Sequence, residues 1–197
     1  MKNRIFAFTT IIVATVMLSM TAAAQEKTTK RSRLFELVTA AKQGKAKLNP
    51  EIAKRVRDAF NEDRTEAPNV PLITGSWNCH ITKSDGGSAA FDALQTFAGD
   101  GTFVETSSLL GIGGEGPAHG AYERSRRGYA LTFELFVFDP ETGESVGRVR
   151  VRAAIKMTSS NSFEAETAVD FIELDGTVIP DIDGGPFSAT RLHVYGV

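Results

Sequence analysis

Residues 145–174 read SVGRVRVRAAIKMTSSNSFEAETAVDFIEL, and the period of this stretch decides the fold. Arg148, Arg150 and Arg152 alternate with Val149, Val151 and Ala153. After the break Ser159-Ser160-Asn161, Glu164, Glu166 and Asp170 alternate with Phe163, Ala165, Thr167, Val169 and Phe171. A period of two puts alternate side chains on opposite faces of a strand, one face apolar and one charged. The break has room only for a tight turn, so the two strands pair antiparallel. A basic ladder then stands beside an acidic one, each opposite pair worth about 0.2–1 kcal/mol. This orients the sheet: the Val149 and Phe163 faces point to the core and the charged faces to solvent.

The same alternation continues on both sides. Further strands are predicted at 72–83, 90–98, 102–108, 116–124, 129–139 and 186–195, flanking those at 145–158 and 162–174. Strong turn signals cut them: Ser84-Asp85-Gly86-Gly87, Gly99-Asp100-Gly101, Arg127-Gly128 and Pro140-Glu141-Thr142-Gly143. Each gap is too short for a crossover helix, so consecutive strands are hairpin partners. An all-β, eight-stranded antiparallel up-and-down barrel is the expected fold, since closure removes exposed edges. A two-sheet sandwich is the alternative, but it needs a long Greek-key return that the spacing does not offer.

Upstream of Ala67-Pro68-Asn69-Val70-Pro71 the period changes, and each proline disfavours helix at the residue before it. One helix is predicted from Arg33 to Lys42, with Leu34, Leu37, Val38 and Ala41 on one face and Gln43-Gly44 as its stop. A second opens with Asn49 as N-cap and Pro50 at its first position, and carries Ile52, Val56, Ala59 and Phe60 at helical spacing. Each is too short to persist alone in water, so both need a surface to dock on, and the barrel is the expected one. Further upstream, Lys2 and Arg4 precede the apolar run Ile5–Met20 and the small-residue segment Thr21-Ala22-Ala23-Ala24-Gln25. That pattern predicts a cleaved secretory signal peptide rather than a membrane anchor. The expected organisation is a signal at 1–24, a linker and helical arm at 25–70, and the barrel at 71–197, in an exported protein, periplasmic or extracellular.

Composition narrows the function classes. Without Lys2 and Arg4 the chain holds 20 basic and 24 acidic residues. The basic ones concentrate in the arm, leaving an acidic barrel. Nucleic-acid binding needs clustered Lys and Arg, so no nucleic-acid partner is expected. Cys79 is the only cysteine. It excludes an intrachain disulfide and reads as a small buried hydrophobe.

Two further features carry a resemblance. Gly75-Ser76-Trp77 opens the first strand, and Arg191 lies near the end of the last in Ala189-Thr190-Arg191-Leu192. This pairing resembles the lipocalin and avidin branches of the calycin superfamily, where a Gly-x-Trp closes the barrel and an arginine packs across the indole. The resemblance implies a structural clasp between Trp77 and Arg191. The chain is also similar to small bacterial lipocalin-like proteins of unknown role, through Phe97-Ala98-Gly99-Asp100-Gly101-Thr102 and Ala118-His119-Gly120 preceding Tyr122. Allene oxide cyclase-like barrels share the architecture, which adds an isomerase by analogy.

No catalytic or metal motif is present. His80, His119 and His193 are not at metal-ligand spacing, and neither HExxH nor Gly-x-Ser-x-Gly occurs. Gly111-Ile112-Gly113-Gly114-Glu115-Gly116 lies between strands, not before a helix, and reads as a hairpin loop at a barrel mouth. Asp181-Ile182-Asp183-Gly184-Gly185 reads as a turn rather than a calcium loop. No cofactor or metal is expected. The remaining site is the barrel interior, with Gln95, His119, Glu134, His193 and Tyr195 as candidate polar contacts for a small apolar or aromatic ligand. Two alternatives stand beside this. One is a structural or interaction protein that self-associates through residues 33–62. The other is an isomerase in which Glu134, flanked by Phe133, Leu135 and Phe136, is a buried acid.

Overall fold

The hairpin at 145–174 forms as its period demands. In the computed structural model, which describes residues 33–61, 72–82, 89–108 and 116–193, it comprises β6 (Ser145–Met157) and β7 (Ser162–Ile172). Val149, Ala153, Ile155, Phe163, Ala165 and Phe171 are buried inward. The other strands are β1 (Gly75–Thr82), β2 (Ala89–Phe97), β3 (Thr102–Ser107), β4 (Ala118–Ser125), β5 (Gly128–Phe138) and β8 (Val178–Arg191). Every consecutive pair is antiparallel, and β8 pairs back onto β1, closing an eight-stranded barrel in strict up-and-down order. Two short helices precede it, α1 (Arg33–Lys42) and α2 (Pro50–Asn61). The Gly111–Glu115 segment and Tyr195 lie outside the described residues.

Local chemistry sets the helix ends. Lys45 and Gly44 donate backbone N–H groups to Ala40 and Ala41, with Gly44 in the left-handed region (φ 69°), so α1 stops where the Gln43-Gly44 signal puts it. Asn49 Oδ1 accepts the Glu51 N–H at 2.8 Å, the N-cap expected ahead of Pro50. Both helices dock on the barrel. Helix α2 lies over β6, β7 and β8 and buries Ile52, Ala53 and Val56 against Ala168, which is fully covered although it sits on the outer face. Helix α1 touches β8 and β5, strands three apart around the ring, so it lies across the barrel end. Its Val38 and Ala41 join the inward-facing Val137, Val149, Phe171 and Ile182 in one packed cluster.

Two expectations are corrected here. The segment Asp181–Gly185 is not a turn but part of β8, which begins at Val178. The register with β7 shifts between Val169 and Phe171, and Asp181 adopts φ 52° there. Gly184 (φ 155°) lets the chain pass close to β7, where a Cβ would lie 2.2 Å from the Thr167 carbonyl oxygen. The glycines and aspartates that suggest a turn are thus used for a bulge and a close approach. The charge ladder also pairs differently. Arg150 stands opposite Asp170 in register, yet Arg148 and Arg150 bind Glu134 of β5 at 2.7 and 2.8 Å. Long guanidinium side chains reach sideways or diagonally as well as straight across.

Asp170 is not on a solvent face. It is 4 % exposed and receives both Arg152 Nη2 (2.8 Å) and Nε (3.1 Å). The same carboxylate accepts the Asp181 N–H at 3.0 Å, and Arg152 also binds Asp181 Oδ1 at 2.8 Å. Arg57 of α2 reaches the other Asp181 oxygen at 2.8 Å, and the Asp181 carbonyl accepts the Leu48 N–H at 2.7 Å. Arg55 binds Glu166 at 2.6 Å. The ion pairs of the outer face therefore fasten the arm to the barrel.

Candidate functional site

The aromatic residues fill the lower half of the barrel, at the Trp77 end. Trp77 packs edge-on to Phe163 with ring centroids 4.8 Å apart, and Phe163 meets Phe187 at 5.8 Å. Phe97 meets Phe103 at 5.0 Å and Tyr122 at 5.1 Å, and Phe103 meets Phe133 at 5.1 Å. Trp77 is fully buried, its indole N–H donating to the Ile73 carbonyl at 2.8 Å. The phenylalanines that could line a binding space are mostly consumed in this floor.

Above the floor the packing changes. Leu135 and Val151 touch both the aromatic floor and the cluster beneath α1, so they stand between the two. They point inward yet are only partly buried, as are Thr167, Val169, Glu105 and Ser107. A side chain directed into a closed barrel keeps accessible surface where the interior is not filled. The side chains around this level are small: Cys79, Ala93, Ala118 and Ala153 are all buried here. Inward-facing side chains at this level, between the aromatic floor and α1, thus keep some accessible surface.

One polar pair stands in the barrel interior. Gln95 lies opposite Trp77 on β1 and Glu105 on β3, and its side chain is directed inward. Its Nε2 donates to Glu105 Oε2 at 2.6 Å. Gln95 is 2 % exposed, and its Oε1 has no hydrogen-bond partner. A buried acceptor left in that state costs about 1–3 kcal/mol. Among the described residues it is the one buried side-chain polar atom with this property. Burial pushes the neighbouring Cys79 thiol well above its ordinary value, and the Glu105 charge adds to the shift. Cys79 is therefore a neutral wall residue, not a nucleophile.

The structure separates the candidate residues. Of the four that lie among the described residues, Gln95 alone is in the interior. His119 points outward from β4, exposed, and stands opposite Val104 and Glu134. Glu134 also points outward and is held by Arg148 and Arg150, so it is not an acid buried inside the barrel. Its neighbours Phe133 and Leu135 take the inward positions by strand parity. His193 is exposed beyond the end of β8. Trp77 and Arg191 do meet: the guanidinium lies over the indole, 4.2 Å from the ring centroid. Glu105 was not among the candidates, although it shares parity with Phe103, which is the signal that places it inside.

A depression of about 650 Å³ lies between the end of α2 and strands β5–β8, and its lining includes the core residues Tyr129, Ile155 and Phe187. Its rim mixes Arg55 and Lys156 with Asp58, Glu164 and Glu166, so it offers no field of one sign. Among the described residues no three His, Cys, Asp or Glu side chains gather as a metal ion would require. No family model matches the chain, and neither the curated proteins nor the solved structures contain a significant match to it.

Proposed function

We propose that the protein is a calycin-like binding barrel that holds one small, largely apolar molecule in the barrel interior, between the aromatic floor and α1. The observation that supports this reading is the accessible surface kept by the inward-facing Leu135, Val151, Glu105 and Ser107 above the aromatic floor. Ligand sites have this composition: mostly apolar walls and few polar groups. Eight-stranded barrels are wide enough to hold one small ligand. The Gly75-x-Trp77 and Arg191 clasp supports the calycin assignment. The N-terminal pattern at 1–24 supports export, which makes the periplasm or the medium the working compartment.

The interaction reading is weaker. The apolar face of α2 is already buried on its own barrel, leaving less of it for a second copy. The isomerase reading loses its acid, since Glu134 is ion-paired on the outside.

The test is native mass spectrometry of the protein purified from its own host, followed by denaturing extraction. A small molecule retained in the native spectrum and released on unfolding is the expected result. A ligand-free protein that also takes up none of a panel of small aromatic and aliphatic molecules would overturn the reading.

A further inference from the structure

We infer that Asp92, His80 and Ser188 form a hydrolytic triad on the barrel wall, cleaving esters whose acyl chain lies in the depression at the end of α2. This site is separate from the barrel interior. Three adjacent strands bring the residues into one outward-facing row: Asp92 of β2 stands opposite His80 of β1, and His80 opposite Ser188 of β8. His80 Nδ1 lies 2.6 Å from Asp92 Oδ1. An ionised carboxylate only accepts hydrogen bonds, so Nδ1 carries the proton. Neutral His80 then keeps its lone pair on Nε2, the tautomer a general base needs, and Asp92 is the positioning residue. Directly opposed residues of antiparallel strands have Cβ atoms about 4.5–5.5 Å apart, so side-chain rotation brings the Ser188 hydroxyl within reach of Nε2.

The row continues past the triad. Ser188 stands opposite Glu164 of β7, and Glu164 opposite Lys156 of β6. Ser188 and Lys156 both line the depression, together with Ala59, Ala154 and Pro186. An ester seated there lays its acyl chain on those apolar surfaces with its carbonyl beside Ser188. Ser188 Oγ attacks the carbonyl carbon and passes its proton to His80 Nε2. The Lys156 ammonium, on a flexible four-carbon stem, reaches across Glu164 to the oxyanion. The bond to the leaving oxygen breaks as His80 gives that oxygen the proton. Water then attacks the acyl-serine and gives a proton to Nε2; Oγ takes that proton back as the free acid departs. His80 and Asp92 are exposed, so the site is open to water and suits esters with good leaving groups rather than amides.

The experiment treats the purified full chain with 4-nitrophenyl butyrate and, separately, with a fluorophosphonate that phosphonylates activated serines. Ester hydrolysis is expected, with Ser188→Ala and His80→Ala each lowering kcat/KM about a hundredfold and the double variant falling no further. Asp92→Asn should lower kcat with KM unchanged, because it disturbs the tautomer of the base and not the groove. The fluorophosphonate is expected to modify Ser188, read by peptide mass spectrometry, and to leave it unmodified in His80→Ala and in the unfolded chain. All three positions are exposed, and circular dichroism checks that the variants fold. An unmodified Ser188 in the native protein, or hydrolysis by Ser188→Ala at the wild-type rate, would overturn the triad. Labelling of Ser188 that persists in His80→Ala would overturn it as well. Labelling of the native chain decides even where a variant does not fold.

Discussion

Arg191 covers the indole of Trp77, with the guanidinium carbon 4.2 Å from the ring centroid, and the two residues stand directly opposite each other where β8 closes onto β1. Its Nη2 and Nη1 donate to the carbonyls of Leu72 and Thr74 at 2.6 Å each, and its Nε donates to Ser160 at 2.9 Å. One side chain thus joins the entry to β1, the β6–β7 turn and the floor. Arg191→Ala is expected to cost about 2–4 kcal/mol, the sum of a cation–π contact and the loss of charge-assisted donors. Arg191→Lys should recover less than half, because an ammonium cannot span three carbonyls in a planar fork. Urea unfolding followed by the single tryptophan reads both.

Gly75 sets the space for that clasp. A Cβ there would lie 2.5 Å from Arg191 Nη1, and its φ of 131° disfavours any other residue. Gly75→Ala should therefore lower stability and shift the tryptophan emission, whereas Gly143→Ala, whose added Cβ meets nothing within 4 Å, should leave the emission unchanged.

The buried ion cluster is expected to behave as a unit. Asp170→Ala leaves Arg152 with one carboxylate partner and the Asp181 N–H without its acceptor, at a cost of about 3 kcal/mol. Asp170→Asn keeps an acceptor for that N–H and should cost less. A double-mutant cycle with Arg57→Ala should be non-additive, since both residues act on Asp181. Additive effects would show that the arm is held by its apolar face alone.

Cys79 predicts an alkaline signature. Its native thiol ionises far above its ordinary value of 9.0, so above that pH the unfolded chain loses a proton that the native state keeps. Stability then falls by up to about 1.4 kcal/mol per pH unit. The wild type should lose this increment relative to Cys79→Ala between pH 9 and 11 in chemical unfolding. Native Cys79 should also resist maleimide labelling at neutral pH until denaturant is added.

Helix α2 should detach before the barrel opens. Val56 is fully buried against the outer face, so Val56→Asp puts a charge where α2 meets Ala168. Amide exchange is expected to rise in 50–61 while the β5–β7 core stays protected. Loss of protection across the whole barrel would mean that the arm and barrel fold as one unit.

Most of the architecture was legible in the sequence because β-alternation and helix caps are local signals. The span of α1, the Asn49 cap and the inward faces of β6 and β7 follow from spacing alone. The start of β8 was not legible, because Asp181, Gly184 and Gly185 have the composition of a turn and only the register with β7 reveals a bulge. The site was half legible. Gln95 follows from parity with Phe97, but Phe136 and Phe138 make the outer face of β5 look like a core face and hid the outward direction of Glu134. Its partners Arg148 and Arg150 sit on the next strand, so pairwise register was needed to place it. The unpaired oxygen of Gln95 depends on which way an amide is turned, which no sequence period encodes.

The up-and-down order has a consequence for how the ring is assembled. Seven of the eight strand pairings join neighbours in the chain, and one, β1 with β8, joins the two ends of the barrel. Hairpins can form early and independently, while that last pairing waits for the longest loop closure. Until it forms, the sheet is an open ribbon with two unpaired strand edges, each a template for another chain. The arginine over the tryptophan therefore guards a kinetic gate: a chain slow to zip this seam is exposed to strand exchange with its neighbours during synthesis, whatever its final stability.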